Sequence, residues 1–413
     1  MLAHAPFLER ARAEHERARD VSARLALGAY LVSRLVDRLL AREDGAGRQE
    51  GLLWQLDAVR RHLRELPADA PESAHLNGIT DVLPVGPQPL SGLRLSLMAY
   101  AYFLEHEGRL EEALEVLALA VRTHGADVPV ADFAASALFA GRLNRLLARW
   151  NDATGCYHSA ESAAGEVGNQ ALVLRARLGM SAVMLGRGDL HEAERMARAV
   201  LRRAVKLSLT EVEAMAYQDV GVALEAQGRR VEAVEAQYQA FLRTGDTLQR
   251  MRVLGDLGMG LAELGAHAVA RLAFEIVADS KSSFLVRTNA IIELMELESA
   301  AGNRLAFKRR HSAAQAVRDR MPPSMAADFL YKLGVGLARF GHISRARDTL
   351  GDGLTLAETH HLNTWYFRFE RVLQNLDVCE IREPELSTPS GLVPPSAVRE
   401  MEAGLREYAS SPG

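Results

Sequence analysis

Cysteine is nearly absent: Cys156 and Cys379 are the only two in 413 residues. They form no C-x-x-C pair, so neither a disulfide framework nor a cysteine zinc site is expected, and reduced thiols in a cytoplasmic setting fit best. Aromatics make up only 6% of the chain, and Lys206, Lys281, Lys308 and Lys332 are its only lysines; the other bases are arginines. Charge of one sign is lacking too. With 49 basic against 53 acidic residues the net charge is −4, which builds no field for nucleic acid. No run reaches the ~20 apolar residues that a bilayer span needs. The stretch from Leu25 to Leu40 comes nearest, and Arg34, Asp37 and Arg38 interrupt it. The N-terminal segment from Met1 to Arg10 does not have the basic-then-apolar order of a secretion signal, so a cytoplasmic protein that does not enter membranes is expected.

Chemical motifs are missing as well. There is no phosphate loop of the G-x-x-x-x-G-K-[ST] kind and no G-x-S-x-G elbow. There is no H-E-x-x-H, since Ala193, Glu194 and Arg195 follow His191-Glu192. His360-His361, the one adjacent histidine pair, has no further ligands near it in sequence and reads as a solvated pair at a hairpin end. No catalytic residue, metal or cofactor is therefore expected. Arg202-Arg203 and Arg309-Arg310-His311 lack the interleaved aromatics of a nucleic-acid surface and read as solvated faces.

What the chain does have is a recurring turn between helices. Gly188-Asp189-Leu190-His191-Glu192-Ala193 reappears as Gly108-Arg109-Leu110-Glu111-Glu112-Ala113 and as Gly228-Arg229-Arg230-Val231-Glu232-Ala233. Ala, Leu, Arg and Glu dominate and β-branched runs are scarce, which favours helix. Anchored on the small residue five places after the turn, the series runs Ala113, Ala153, Ala193, Ala233, Ala270, Phe307, Ala346, with steps of 37 to 40 residues. The turn position itself reads Gly108, Ala148, Gly188, Gly228, Gly265, Gly302, Gly341, as expected where a helix ends in the left-handed conformation. Twelve residues before the anchor stand Ala101, Gly141, Ser181, Gly221, Gly258, Met295, Gly334. Seven after it stand Ala120, Ala160, Val200, Ala240, Val277, Ala314, Gly353. Small side chains recur where two antiparallel helices must lie close.

This small, turn, small, small pattern resembles the tetratricopeptide repeat over about residues 93–375, with Leu97-Ala101-Leu104-Gly108-Ala113-Leu117-Ala120 as its clearest copy. The period exceeds the usual ~34 residues, which is similar to the longer MalT-like repeats of bacterial regulators. Phe307 and Met295 depart from the pattern. HEAT-type repeats, at ~40–47 residues, are the rival fold but lack this small-residue signature. The resemblance implies an all-α, right-handed superhelical solenoid of antiparallel helix hairpins, about seven regular repeats plus caps. Four regions are expected: a helical cap over 1–80, built as a diverged hairpin; a proline-rich connector over 81–91; the array over 92–376, closed by a helix from Trp365 to Leu376; and a linker with a short helix over 377–413. The MalT-like resemblance implies at most a sensor, since neither a nucleotide-binding domain nor a DNA-binding helix-turn-helix is recognisable.

In such stacks the first helix of each hairpin lines the concave groove. The candidate groove residues are Tyr102, Glu105, His106, Arg142, Asn144, Arg145, Arg149, Arg175, Gln218, Glu225, Arg252 and Tyr331. Arginines on neighbouring repeats suit a carboxylate-bearing peptide end or an acidic segment, because guanidinium donates paired hydrogen bonds. Arginines paired internally with glutamates on the next hairpin give the same sequence pattern. Two functions follow: a non-catalytic scaffold or adaptor that holds a partner protein or peptide in the groove, or a regulatory sensor that binds a small molecule or signalling peptide and controls a separate effector. The segment 396–408 is a candidate to dock in the groove, and the terminal hairpins are candidates for pairing between chains.

Overall fold

The computed structural model describes residues 3–41, 46–83, 90–123, 129–321, 323–360, 362–377 and 395–410, and within them every regular element is a helix. The chain divides into two compact units, Met1–Arg187 and Gly188–Gly413. Unit 1 holds α1 (Ala5–Glu16), α2 (Asp20–Leu40), α3 (Ala46–Arg64), α4 (Pro71–Asp81), α5 (Ser91–His106), α6 (Leu110–Arg122), α7 (Val130–Leu146), α8 (Trp150–Glu166) and α9 (Gln170–Gly186). Unit 2 holds α10 (Leu190–Lys206), α11 (Thr210–Ala226), α12 (Arg230–Arg243), α13 (Thr247–Glu263), α14 (His267–Asp279), α15 (Phe284–Ala300), α16 (Arg304–Gln315), α17 (Pro323–Arg339), α18 (Ile343–Thr359), α19 (Asn363–Asp377) and α20 (Pro395–Ser410).

Six helix hairpins of the expected kind are present within the two units. α5 packs on α6 and α7 on α8; in unit 2, α11 pairs with α12, α13 with α14, α15 with α16 and α17 with α18. Next-but-one helices also touch, α7 with α9 and α11 through α13, α15 and α17 to α19, so within each unit the first helices form a common wall. The turn position takes positive φ in all seven copies, from 56° at Ala148 to 88° at Gly188. The closure is the same in six of the copies. Arg109 N–H donates to Leu104 O at 2.8 Å and Gly108 N–H to Glu105 O at 2.9 Å, and the pair recurs at Arg229 and Gly228 and at His342 and Gly341. This crossed pair satisfies carbonyls that the helix end would otherwise leave open.

The anchor residues are all buried to 5% exposure or less. The small residue twelve places earlier makes room for a large side chain four places after the anchor. An added Cβ would lie 2.7 Å from Tyr157 at Gly141, 2.8 Å from Phe274 at Gly258 and 2.5 Å from Leu350 at Gly334. Phe307 fits its anchor position because Gly336 of α17 faces its ring, leaving no space there for a Cβ. The closing helix α19 buries Phe369 and Leu376 and exposes Arg368, Arg371 and Gln374, as expected of an end unit.

The N-terminal region differs from the expected single hairpin. α2 packs against α1 as well as α3, and α4 was not anticipated. Pro67 and Pro71 read as terminators, but Pro71 opens α4 at the start of its first turn, where a missing N–H breaks no helical hydrogen bond. Glu72 of α4 then ties four elements together. It accepts from Tyr100 Oη of α5 at 2.7 Å, Arg10 Nη2 of α1 at 2.8 Å and Arg109 Nη1 of the α5–α6 turn at 2.9 Å. Burial pushes the Glu72 carboxyl up, yet the two guanidinium groups and the tyrosine outweigh it and hold it below its ordinary value. Of the proposed connector, residues 84–89 lie outside the described residues, as do Cys379 and His361.

Ala148 holds the left-handed conformation that glycine takes in the other six copies. Ala148→Gly is expected to raise stability by about 0.5–1 kcal/mol, the relief of Cβ strain less the extra freedom of the unfolded chain. Gly258→Val is expected to lower it by about 1–3 kcal/mol through overpacking against Phe274. Urea denaturation of the two variants should move in opposite directions.

Candidate functional site

Within unit 1 the first-helix wall runs across α5, α7 and α9. Tyr102, 43% exposed, stacks on Phe139 of α7 with ring centroids 4.2 Å apart. The Arg142 guanidinium lies 5.8 Å above the same Phe139 ring and pairs with Glu105 of α5 through Nε at 2.6 Å and through Nη2 on both carboxylate oxygens. Glu105 is 5% exposed, so this pair is a strut between hairpins before it is a binding group. His106 is half-buried in the last turn of α5. Arg145, half-buried on α7, and Arg175, exposed on α9, have no hydrogen-bond or ion-pair partner among the described residues. Leu95 and Leu146 add exposed apolar surface on α5 and α7.

Two candidates lie elsewhere. Asn144 turns into its own hairpin. It is buried, donates to Ala140 O at 3.0 Å and reaches Cys156 Sγ of α8 at 3.9 Å, so it does not face the wall. It stands one place off the helical stripe that carries Arg142 and Arg145. Arg149 caps α8 at the hairpin tip and pairs with Glu111 at 2.7 Å.

In unit 2 the wall charges are engaged by neighbouring side chains, some of them neutral amides. Gln218 of α11 donates to Asp256 Oδ2 of α13 at 2.8 Å and also receives the Gln249 amide. Arg252 stands beside Asp256 and favours its charge. Burial nevertheless dominates and raises the Asp256 carboxyl to about 6, against the Gln218 hydrogen bond and Arg252. Glu225 accepts from Gln237 Nε2 of α12 at 3.0 Å. Burial, helped by the charges of Glu263 and Asp256, also raises it to about 6. On the next hairpins Lys332 donates to Glu293 at 2.5 Å and Asp328 at 2.9 Å, while Arg339 bonds Glu296 at 2.8 Å and Ser299 at 2.7 Å. Burial works against the Lys332 charge, but the two carboxylates override it and hold the ammonium protonated. Tyr331 packs edge-on against Phe369 at 5.7 Å and beside Trp365 at 5.9 Å, an aromatic end to this wall.

Sequence reasoning passed over Phe139, Asp256, Glu293 and Lys332. All four stand fourteen residues before their anchors, one helical step from the stripes that were read. Among the described residues no group of three or more His, Cys, Asp or Glu is placed to hold a metal, and no helix is long and apolar enough to cross a membrane.

Asp256 and Glu225 carry folded values above the ordinary carboxylate range, so between about pH 4 and about pH 6 the folded state holds more protons than the unfolded one. Their contribution is present at low pH and is lost as pH rises through about 6. Asp256→Asn keeps an acceptor for Gln218 and is expected to stabilise the chain by about 1 kcal/mol at neutral pH. Thermal unfolding followed across this window should lose part of its slope in the variant; an unaltered slope would show that Asp256 titrates normally.

No protein-family model matches the sequence, and no curated protein matches it. Among solved structures the chain is similar to a Rap protein complexed with competence and sporulation factor, at 10% identity and TM-score 0.46 over 88% of this chain and 99% of that one. It is similar to the Cut9–Hcn1 hetero-tetramer of the APC/C, at 15% identity and TM-score 0.47 over 95% of this chain and 84% of that one. A third is a signal-transduction ATPase with a tetratricopeptide-repeat sensor from Pyrococcus horikoshii, at 14% identity and TM-score 0.44 over 85% of this chain and 65% of that one. These likenesses concern architecture alone. On its own hairpins, turn closures and small-residue contacts, the chain is a tetratricopeptide-like all-α repeat protein.

Proposed function

We propose that this chain is a non-catalytic interaction protein that holds an acidic, extended segment of a partner protein or peptide on the first-helix wall of unit 1. The observation that carries the reading is the contrast between the two walls. In unit 2 the wall charges have partners, Asp256 and Glu225 in glutamine amides and Lys332 and Arg339 in carboxylates, whereas in unit 1 Arg145 and Arg175 keep their donors for something else. By repeat register these two arginines stand ten residues apart along neighbouring first helices, roughly 15 Å of helix axis. An extended chain covers that distance in about five residues. Tyr102, Leu95 and Leu146 supply apolar contact beside them, and Arg142 is held over Phe139 as a neighbouring positive charge. Arginine suits this task, because its planar fork meets a carboxylate with two donors at once.

The reading places the protein in the cytoplasm, with residues 1–80 capping the array over 92–376, and assigns it no chemistry of its own. The bound segment would act by bringing its protein to the array, and a regulatory role would follow if that protein is an effector. Pairing of terminal hairpins between copies is not needed for any step.

A random dodecapeptide display library panned on the full chain is expected to yield a consensus with two acidic positions about five residues apart. Arg145→Glu combined with Arg175→Glu should weaken the best binder at least tenfold, about 1.4 kcal/mol, without moving the thermal midpoint. A consensus without acidic residues, or a binder indifferent to both reversals, would sink the proposal.

A further inference from the structure

A different surface lies on unit 2, among the second helices. α20 is not the next hairpin in the series. It packs on α14, and its Met401 and Leu405 are buried in the same core cluster as Tyr238 and Phe241 of α12. Ala397, Val398 and Tyr408 line the same side of the helix and are partly buried there. Tyr408 meets the Phe241 ring edge-on at 5.5 Å and lies 5.3 Å under the Arg250 guanidinium. At Gly404 the backbone passes the tip of the Tyr238 side chain of α12, and an added Cβ would sit 2.6 Å from its Oη. The opposite side, Arg399, Ala403 and Arg406, is exposed.

Repeat arrays grow by contacts between neighbours in sequence. α20 breaks that rule by returning past α15–α19 to α12 and α14. It makes no hairpin, and a lone 16-residue helix is marginal in water. It is therefore helical because it is seated, and its seat is a surface shaped for a helix. Two features limit how tightly α20 holds on. Gly404 in its interior weakens the helix by ~1 kcal/mol, and its first apolar rung, Ala397, is small. A helix held by few anchors can leave without unfolding the array beneath it.

We infer that the α12–α14 face is a binding site for an amphipathic helix of a partner protein, and that α20 occupies it in competition with that partner. The partner helix carries large apolar residues where α20 has Ala397, Met401 and Leu405, glycine where α20 has Gly404, and an aromatic residue where α20 has Tyr408. Glycine is favoured there, because a Cβ at the crossing would stand 2.6 Å from Tyr238 Oη and force the tyrosine side chain to shift. This inference is independent of the proposal for the unit 1 wall: no residue is shared.

The test uses the full chain and, as probe, a fluorescent peptide of residues 395–410. Gly404→Leu should unseat α20 and leave the receptor face intact. Amide exchange over 395–410 should then lose its protection while α11–α14 keep theirs, and the probe should bind at least tenfold more tightly than to the wild-type chain. A probe that itself carries Gly404→Leu should not bind. As a milder pair, Gly404→Ala should weaken seating and Tyr238→Phe, which removes the blocking oxygen, should restore it. Equal protection of α20 and α13 together with no probe binding to the Gly404→Leu chain would make α20 a fixed part of the fold and overturn the inference. A wild-type dimer that becomes monomeric on Gly404→Leu would overturn it in favour of helix exchange between two copies.

Discussion

Tyr157 of α8 lies with its ring against Gly141 of α7 and Gly179 of α9, and neither glycine has room for a Cβ beneath it. One aromatic side chain thus sets the distance from its helix to both neighbours. The same device recurs with Phe274 over Gly258, Leu350 over Gly334 and Phe369 over Gly353. A packed interior has little slack, so these contacts fix helix spacing within a few tenths of an ångström, and the spacing in turn decides which side chains on successive first helices can meet. Struts such as Glu105 with Arg142 and Glu293 with Lys332 exist because the period brings equivalent or neighbouring positions of successive first helices to within bonding distance.

Those struts also shape where a ligand can be held. A buried pair between hairpins contributes little net stability against an apolar alternative, because each ion gives up its hydration, but breaking it leaves a stranded charge. A ligand that needed Lys332 or Arg142 would have to compensate for that loss. Ligand recognition is therefore cheapest where the wall offers donors that no strut requires. On the proposed reading this is why Arg145 and Arg175 are chosen over the more numerous charges of unit 2, although sequence position alone treats all of them as equivalent.

The hairpins were legible because their causes are local and repeated. A left-handed turn residue, a small anchor and a small partner each leave a mark at a fixed offset, and seven copies make the marks additive. Even Phe307, which broke the pattern, is compensated by a glycine 29 residues later on α17. α4 was missed because Pro71, which opens it, reads in sequence the same as a proline that ends a helix. Asn144 was misplaced by one residue, which on a helix is a rotation of 100° and moves a side chain from wall to interior. The seat of α20 was out of reach for a different reason. Val398, Met401, Leu405 and Tyr408 announce an amphipathic helix, but they do not encode which of the many apolar faces in the array receives it.

α12 takes part in both halves of unit 2. Gln237 bonds Glu225 on the first-helix side and its Cγ fills the space above Gly221, while the next residue, Tyr238, faces α20. Adjacency of this kind does not by itself couple two surfaces; coupling requires that α12 have two positions which the two ligands favour unequally. The Gly221 contact argues against a second position. A Cβ there would stand 2.8 Å from Gln237 Cγ, so α12 cannot move inward, and moving outward would open a void along a close-packed seam and leave Glu225 without its donor. The close packing that makes the array regular therefore also insulates its two sides, and helix exchange on the outer face leaves the first-helix wall unchanged.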